Sequence, residues 1–176
     1  YPRSDPLPDG GRMDFFFIDT PPILDANRRF AGSLLPVGHF VREQFAWLEG
    51  ALASSKGRWK VVVGHHPVFS GGQHGSTPVL IENLKPTLDR NGVHLYINGH
   101  EHDLQHVAVD GVHYLTSGSC SEARSTGSTQ GTVFSAATTG FLTARATGRE
   151  IAISFVSGRR ETLHSFIVDG ASTDRN

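Results

Sequence analysis

One cysteine, Cys120, stands in the 176 residues. A lone thiol excludes a disulfide within the chain, and it excludes the zinc motifs that need several thiolates. No apolar run approaches the roughly 20 residues that cross a bilayer as a helix, and the opening Tyr1-Pro2-Arg3-Ser4-Asp5 lacks the apolar segment of a secretory leader. A membrane partner is therefore not expected. Lys and Arg number 16 against 17 Asp and Glu, with no block of basic residues along the chain, so the electrostatic footprint of a nucleic-acid groove is missing as well. No internal repeat is visible.

What is present is an ordinary folding composition with one anomaly. Hydrophobic residues make up 38% and charged residues 19%, well away from the compositions that stay disordered, and the length suits one domain with a single core. The anomaly is histidine. There are ten, and eight of them (65, 66, 74, 94, 100, 102, 106 and 113) fall within one stretch of the chain.

Hydrophobic periodicity gives the frame around that stretch. Residues 1–13, rich in Pro, Gly and Asp, read as an entering arm, and Asp14–Asp19 as a short buried strand stopped by Thr20-Pro21-Pro22. A loop is expected to about Gly38. Val41, Phe45, Leu48 and Leu52 then recur on one helical face, predicting a helix over 40–55 closed by Gly57. Trp59–Val63 is apolar and β-branched, a strand that runs into Gly64-His65-His66-Pro67, where proline forbids further pairing. Thr77-Pro78 has the pattern of a helix start, with Ile81, Leu84 and Leu88 as the buried face, Pro86 as a bend or division, and Asn91-Gly92 as the stop. Val93–Ile97 is a strand ending at Asn98-Gly99-His100. Two runs, 105–109 and 112–116, flank the hairpin dipeptide Asp110-Gly111. Residues 117–138 read as a long Ser/Thr/Gly loop, and 141–146, 151–156 and 162–168 as a closing meander of strands. The order is that of an α/β layered domain with an antiparallel portion at its end.

Ligands in such sheets gather at the carboxyl ends of the strands. Both histidine clusters, His65-His66 and His100-x-His102, lie at such ends, and adjacent parallel strands would bring them together. Neutral imidazole is a favoured ligand for zinc, iron and other divalent first-row ions, so His65, His100 and His102 are the metal-ligand candidates. Gly99 gives the backbone room to turn, and the two imidazoles of Gly99-His100-Glu101-His102 face either one ion or two; spacing alone does not choose. His66 adjoins a ligand candidate and suits a supporting role beside it. His74 stands in the flexible Gly72-Gln73-His74-Gly75 loop, where a functional and a bland reading are evenly balanced. His39, His94, His106, His113 and His164 read as surface or packing residues.

Taken in order, Val61-Val62-Val63-Gly64-His65-His66-Pro67, Gln73-His74-Gly75 and Tyr96-Ile97-Asn98-Gly99-His100-Glu101-His102 resemble the final motifs of the low-molecular-weight, tartrate-resistant purple acid phosphatases, within the calcineurin-like metallophosphoesterase superfamily. Phe17-Ile18-Asp19-Thr20, Gln44-x-x-Trp47-Leu48 and Leu115-Thr116-Ser117-Gly118 extend the likeness over nearly the whole chain. The resemblance implies the C-terminal part of a two-sheet β-sandwich flanked by helices. It implies metal-dependent hydrolysis of phosphomonoesters, an acid phosphatase activity, by a centre of Fe(III) and a divalent metal (Fe, Zn or Mn). His65 and His100 would bind the divalent ion and His102 the ferric ion, while His74 would orient phosphate or protonate the leaving group. A secreted or periplasmic location is also what it suggests.

The family's earlier motifs, which carry a bridging Asp, a ligand Tyr and a Gly-Asn-His segment, do not occur here; Tyr1, Tyr96 and Tyr114 have other surroundings. Residues 1–176 are therefore expected to be the C-terminal half of a single metallophosphoesterase domain, completed by an N-terminal half that is a separate or missing segment. Two other readings are a phosphodiesterase of the same superfamily and a non-catalytic fragment that is inactive without that half.

Overall fold

The computed structural model describes residues 1–25 and 37–170. The first strand, β1 (Pro2–Pro6), pairs antiparallel with β2 (Arg12–Phe17). Two helices follow, α1 (Pro21–Asp25) and α2 (Val37–Ser54), and then β3 (Trp59–Val63). Next come α3 (Pro78–Asn83), α4 (Lys85–Arg90) and β4 (Leu95–Asn98). The remainder is strand: β5 (Leu104–Val109), β6 (Val112–Ser117), β7 (Thr132–Ala136), β8 (Gly140–Ala146), β9 (Glu150–Ser157) and β10 (Thr162–Asp169).

These strands form two sheets, a seven-stranded one in the order β1-β2-β3-β4-β6-β5-β7 and a three-stranded antiparallel one in the order β10-β9-β8. The centre of the larger sheet, β2-β3-β4-β6, is parallel. Side chains alternate across a strand, and here the alternation sorts two cores. Val62, Tyr96 and Tyr114 join Leu48 and Leu52 of α2 and Leu80, Leu84 and Leu88 of the α3–α4 region. Their neighbours Val61, Leu95 and Leu115 face the other way, against Ile151, Ile153 and Phe155 of the small sheet. Val61 and Val62 are both fully buried, each stabilising the fold by roughly 1.5–3 kcal/mol through burial. A run of consecutive valines is what a strand covered on both faces requires. The result is helices over a mixed sheet over an antiparallel sheet, the two-sheet arrangement expected.

Several sequence expectations are corrected. Residues 1–13 are not only an arm: β1 pairs with β2, and its two prolines fall at the ends of an edge strand, where a missing N–H is tolerated. Thr20-Pro21 does more than stop β2: it opens the short helix α1, with Ile23 and Leu24 N–H donating to the Thr20 carbonyl, as Thr77-Pro78 opens α3. The rest of the expected loop, 26–36, lies outside the described residues. The loop 117–138 contains β7, an edge strand on β5 with a register irregularity between His106 and Val107. Pro86 does divide its helix: Leu84 closes α3 by donating to the Leu80 carbonyl and opens α4.

Candidate metal centre

Because β3 and β4 are adjacent and parallel, with Val63 opposite Ile97, their carboxyl ends release the chain side by side. Gly64 N–H donates to the Ile97 carbonyl at 3.1 Å and Gly99 N–H to the His65 carbonyl at 3.2 Å, so the two loops are tied together just past the sheet. Tyr96, fully buried, adds its hydroxyl to the His66 carbonyl at 2.7 Å. A Cβ on Gly64 would fall on that hydroxyl and 2.9 Å from Thr20 Cγ2, so only glycine lets the chain pass.

The loops converge on imidazoles. His65 Nε2 and His100 Nδ1 lie 3.1 Å apart. One nitrogen each from His65, His66 and His100 lies within 4.8 Å of the others, the only such group of potential metal ligands among the described residues. The His65 and His100 nitrogens, 3.1 Å apart, subtend roughly 95° at an ion about 2.1 Å from each, a common ligand angle for first-row metals. Burial, reinforced by His100 and His65, pulls the His66 pKa down to about 4, and burial first and then His74 lower that of His100. Both rings are thus neutral at neutral pH, the state that binds metal. The donor set fits a divalent ion.

Gly99 is not the residue that turns. His100 itself adopts φ +65°, and Glu101 N–H donates back to the Gly99 carbonyl at 2.8 Å. That three-residue bond with positive φ is a γ-turn, a strained conformation of the kind that gathers at functional sites. The turn separates the two histidines of the motif. His100 faces His65, whereas His102 has its Nδ1 3.1 Å from Glu122 Oε2. Arg124 first, and then His102, hold the Glu122 carboxyl below its ordinary value. With Nδ1 engaged by a carboxylate, Nε2 is the nitrogen of His102 left for a ligand role, the arrangement common where histidine binds metal.

His66 has its Nδ1 2.9 Å from the buried Thr20 hydroxyl, which also accepts the His66 backbone N–H. Its ring sits against those of His65 and His100, at 4.8 and 4.4 Å between centroids. His74 comes to the same rim, its ring 4.5 Å from that of His100. Beneath it lies Glu101, 1% exposed. The sequence pattern assigns no role to Glu101, Glu122, Thr20 or Tyr96; an acidic residue between the two histidines of the motif is the one local signal among them.

The histidines read as packing residues lie elsewhere. His39 is in the first turn of α2, paired with Glu43 at 3.0 Å. His94 is buried, its Nδ1 accepting from Lys60 N–H and its ring edge-on to Trp59. His106, His113 and His164 form a hydrogen-bonded chain, His164 to His106 at 3.0 Å and His106 to His113 at 2.8 Å, stacked on Phe166.

A histidine rim at the carboxyl end of a parallel sheet, backed by a second sheet, stands where ligands gather in such sheets. Residues 7–104 match the calcineurin-like phosphoesterase family, and the chain belongs to that family. It is similar to purple acid phosphatase 17 of Arabidopsis thaliana, 36% identical over 174 residues, which cover 90% of this chain and 52% of the relative. Among solved structures it is similar to GAP50, the anchor in the inner membrane complex of Plasmodium, with a TM-score of 0.81 and 22% identity over 96% of this chain and 53% of that one. A purple acid phosphatase, PPD1, from yellow lupin (Lupinus luteus) seeds superposes with a TM-score of 0.66 at 17% identity, covering 96% of this chain and 32% of that one. At those identities the two structures speak for the fold alone. The chain spans about half or less of the length of the curated relatives it matches.

Proposed function

We propose that this chain carries the histidine side of a dinuclear centre that hydrolyses phosphomonoesters. The observation that carries the reading is the facing pair His65 Nε2 and His100 Nδ1, 3.1 Å apart at the joined ends of two parallel strands. In this reading His65 and His100 hold a divalent ion, Fe, Zn or Mn, and His102 holds Fe(III). His66 supports His65 from the side, anchored by Thr20. The remaining ligands, including a bridging carboxylate, come from an N-terminal half of the same domain. A metal pair held by these residues and their missing counterparts would supply positive charge against the phosphoryl oxygens and lower the pKa of a bound water.

The chain's own residues do the rest. The cross-bonded loops fix where the imidazoles stand, so little reorganisation accompanies ester binding. His74, half exposed on the rim, is placed to hold a proton for the departing alkoxide oxygen or to hydrogen-bond the phosphate.

The test uses the full-length protein. His102→Ala should remove iron and turnover together, and wild-type iron with wild-type turnover in that variant would defeat the assignment. His74→Ala should keep both metals and lose turnover mainly for esters with poor leaving groups, because a proton donor matters most there. Comparing a phosphomonoester with a phosphodiester on the wild type separates this reading from the diesterase one.

A further inference from the structure

We infer that the cleft at the amino ends of β3, β4 and β6, opposite the histidine rim, is a second binding site. It takes a small metabolite with a phosphate or carboxylate group at one end and a hydrogen-bond donor at the other. The cleft has a volume of about 660 Å3, within the roughly 300–1,000 Å3 of small-molecule sites. Lys60, His94 and His113 line it from the strand ends, and Asp89 and Arg90 from the last turn of α4. Arg58, bonded to the Gly148 carbonyl between β8 and β9, lines it as well. The site is independent of the metal centre and of the reaction proposed there.

Two of the cations in that lining have no counter-charge. Arg90 is paired with Glu49 at 2.9 Å, and Lys85 holds both acids of the cleft, Asp89 at 2.7 Å and Asp110 at 2.6 Å. By contrast, Lys60 Nζ donates to the Asn91 carbonyl and Arg58 Nε to that of Gly148, and among the described residues neither is paired with a carboxylate. Burial lowers the Lys60 pKa and the charge of Asp14 does not restore it, the mark of a cation short of an anion.

Two buried hydrogen-bonding atoms on lining residues are unpaired too. His94 Nδ1 accepts the Lys60 backbone N–H at 3.2 Å, and burial first, then Arg58 and Lys60, pull the His94 pKa down to about 4. The ring is therefore neutral with its hydrogen on Nε2, and that donor has no acceptor among the described residues. Asp89 gives Oδ2 to Lys85, while its buried Oδ1 has no donor. Native proteins leave few buried polar atoms unpaired, and here an orphan donor, an orphan acceptor and two uncompensated cations belong to one cleft. An oxyanion answers Lys60, Arg58 and His94 together; a hydroxyl or amine answers Asp89.

The probes are 2-aminoethylphosphonate and 3-aminopropanoate, each beside its counterpart without the amine, ethylphosphonate and propionate. None carries an ester to hydrolyse. Each is titrated into the zinc-loaded full-length protein while 1H–15N spectra follow the His94 ring and the Lys60 amide. Both signals should move together and saturate, at lower concentration for the aminated member of each pair, and the tighter of the two aminated probes identifies the anionic group. Shifts confined to His65 and His100, with His94 and Lys60 unmoved, would overturn the site by placing the anion at the metals alone. An amine that adds nothing would overturn the two-ended reading. Lys60→Met keeps the aliphatic stem without the charge, and affinity read at His94 should fall roughly tenfold or more, as loss of a charge-assisted hydrogen bond requires. Arg58→Gln, at an exposed position where the fold is not at stake, should weaken binding in the same sense. Phosphomonoester turnover should stay at the wild-type level in both variants, and unchanged affinity in both would overturn the proposal.

Discussion

Acid should weaken this fold through a cluster remote from the metal ligands, the chain of His164, His106 and His113. His106 is 2% exposed, sits between the other two rings, and stacks on Phe166 at 3.8 Å. Burial, then the neighbouring His113 and His164, push its pKa down to about 3 from the ordinary 6.5, and burial lowers those of His113 and His164 too. A base with a depressed folded pKa binds its proton more readily in the unfolded chain, so stability is complete above about pH 6.5 and declines as pH falls towards about 3. For His106 alone the loss between pH 7 and pH 5 is about 2 kcal/mol, and its neighbours act in the same sense. Urea unfolding of the full-length protein, followed by tryptophan fluorescence at several pH values, reads this slope. His106→Phe keeps the stacking but removes the titration. It should be less stable at pH 7, because it leaves two nitrogens without partners, yet its loss between pH 7 and pH 5 should shrink by about 2 kcal/mol. A variant with the full wild-type slope would refute the reasoning.

Gly64→Ala should displace the His65-His66 loop, since the new methyl meets the Tyr96 hydroxyl and Thr20; metal analysis should show affinity down roughly tenfold or more. Leu84→Ala, at the fully buried junction of α3 and α4, should cost about 2–5 kcal/mol in urea unfolding while metal content is kept. Asp14→Ala should cost about 1–3 kcal/mol by the same assay, because Asp14 accepts from the Ser4 and Ser55 hydroxyls and from Gly57 N–H. Burial raises the Asp14 pKa, but those three bonds outweigh it and hold the carboxyl below its ordinary value, so an unchanged stability in the alanine variant would show that they do not operate in solution.

How much of this was legible in the residues follows the range of the forces involved. Periodicity is local, and it located β3 to the residue, the helical face of α2, the division at Pro86 and both histidine clusters at strand ends. It failed where composition concealed pairing: β1 carries two prolines and β7 lies in a Ser/Thr/Gly stretch, and each exists because a neighbouring strand supplies the hydrogen bonds. The site divides in the same way. Sequence alone named His65, His100 and His102 as ligand candidates but left open whether the last two face one ion or two. With His100 at positive φ, one lies against His65 and the other against Glu122, partners that are 35 and 20 residues away in the chain. Burial of Glu101 beneath His74, and assembly of the His106 cluster from β5, β6 and β10, join residues far apart in the chain. No local pattern encodes such contacts, because they arise only when the sheets and loops that carry them pack together.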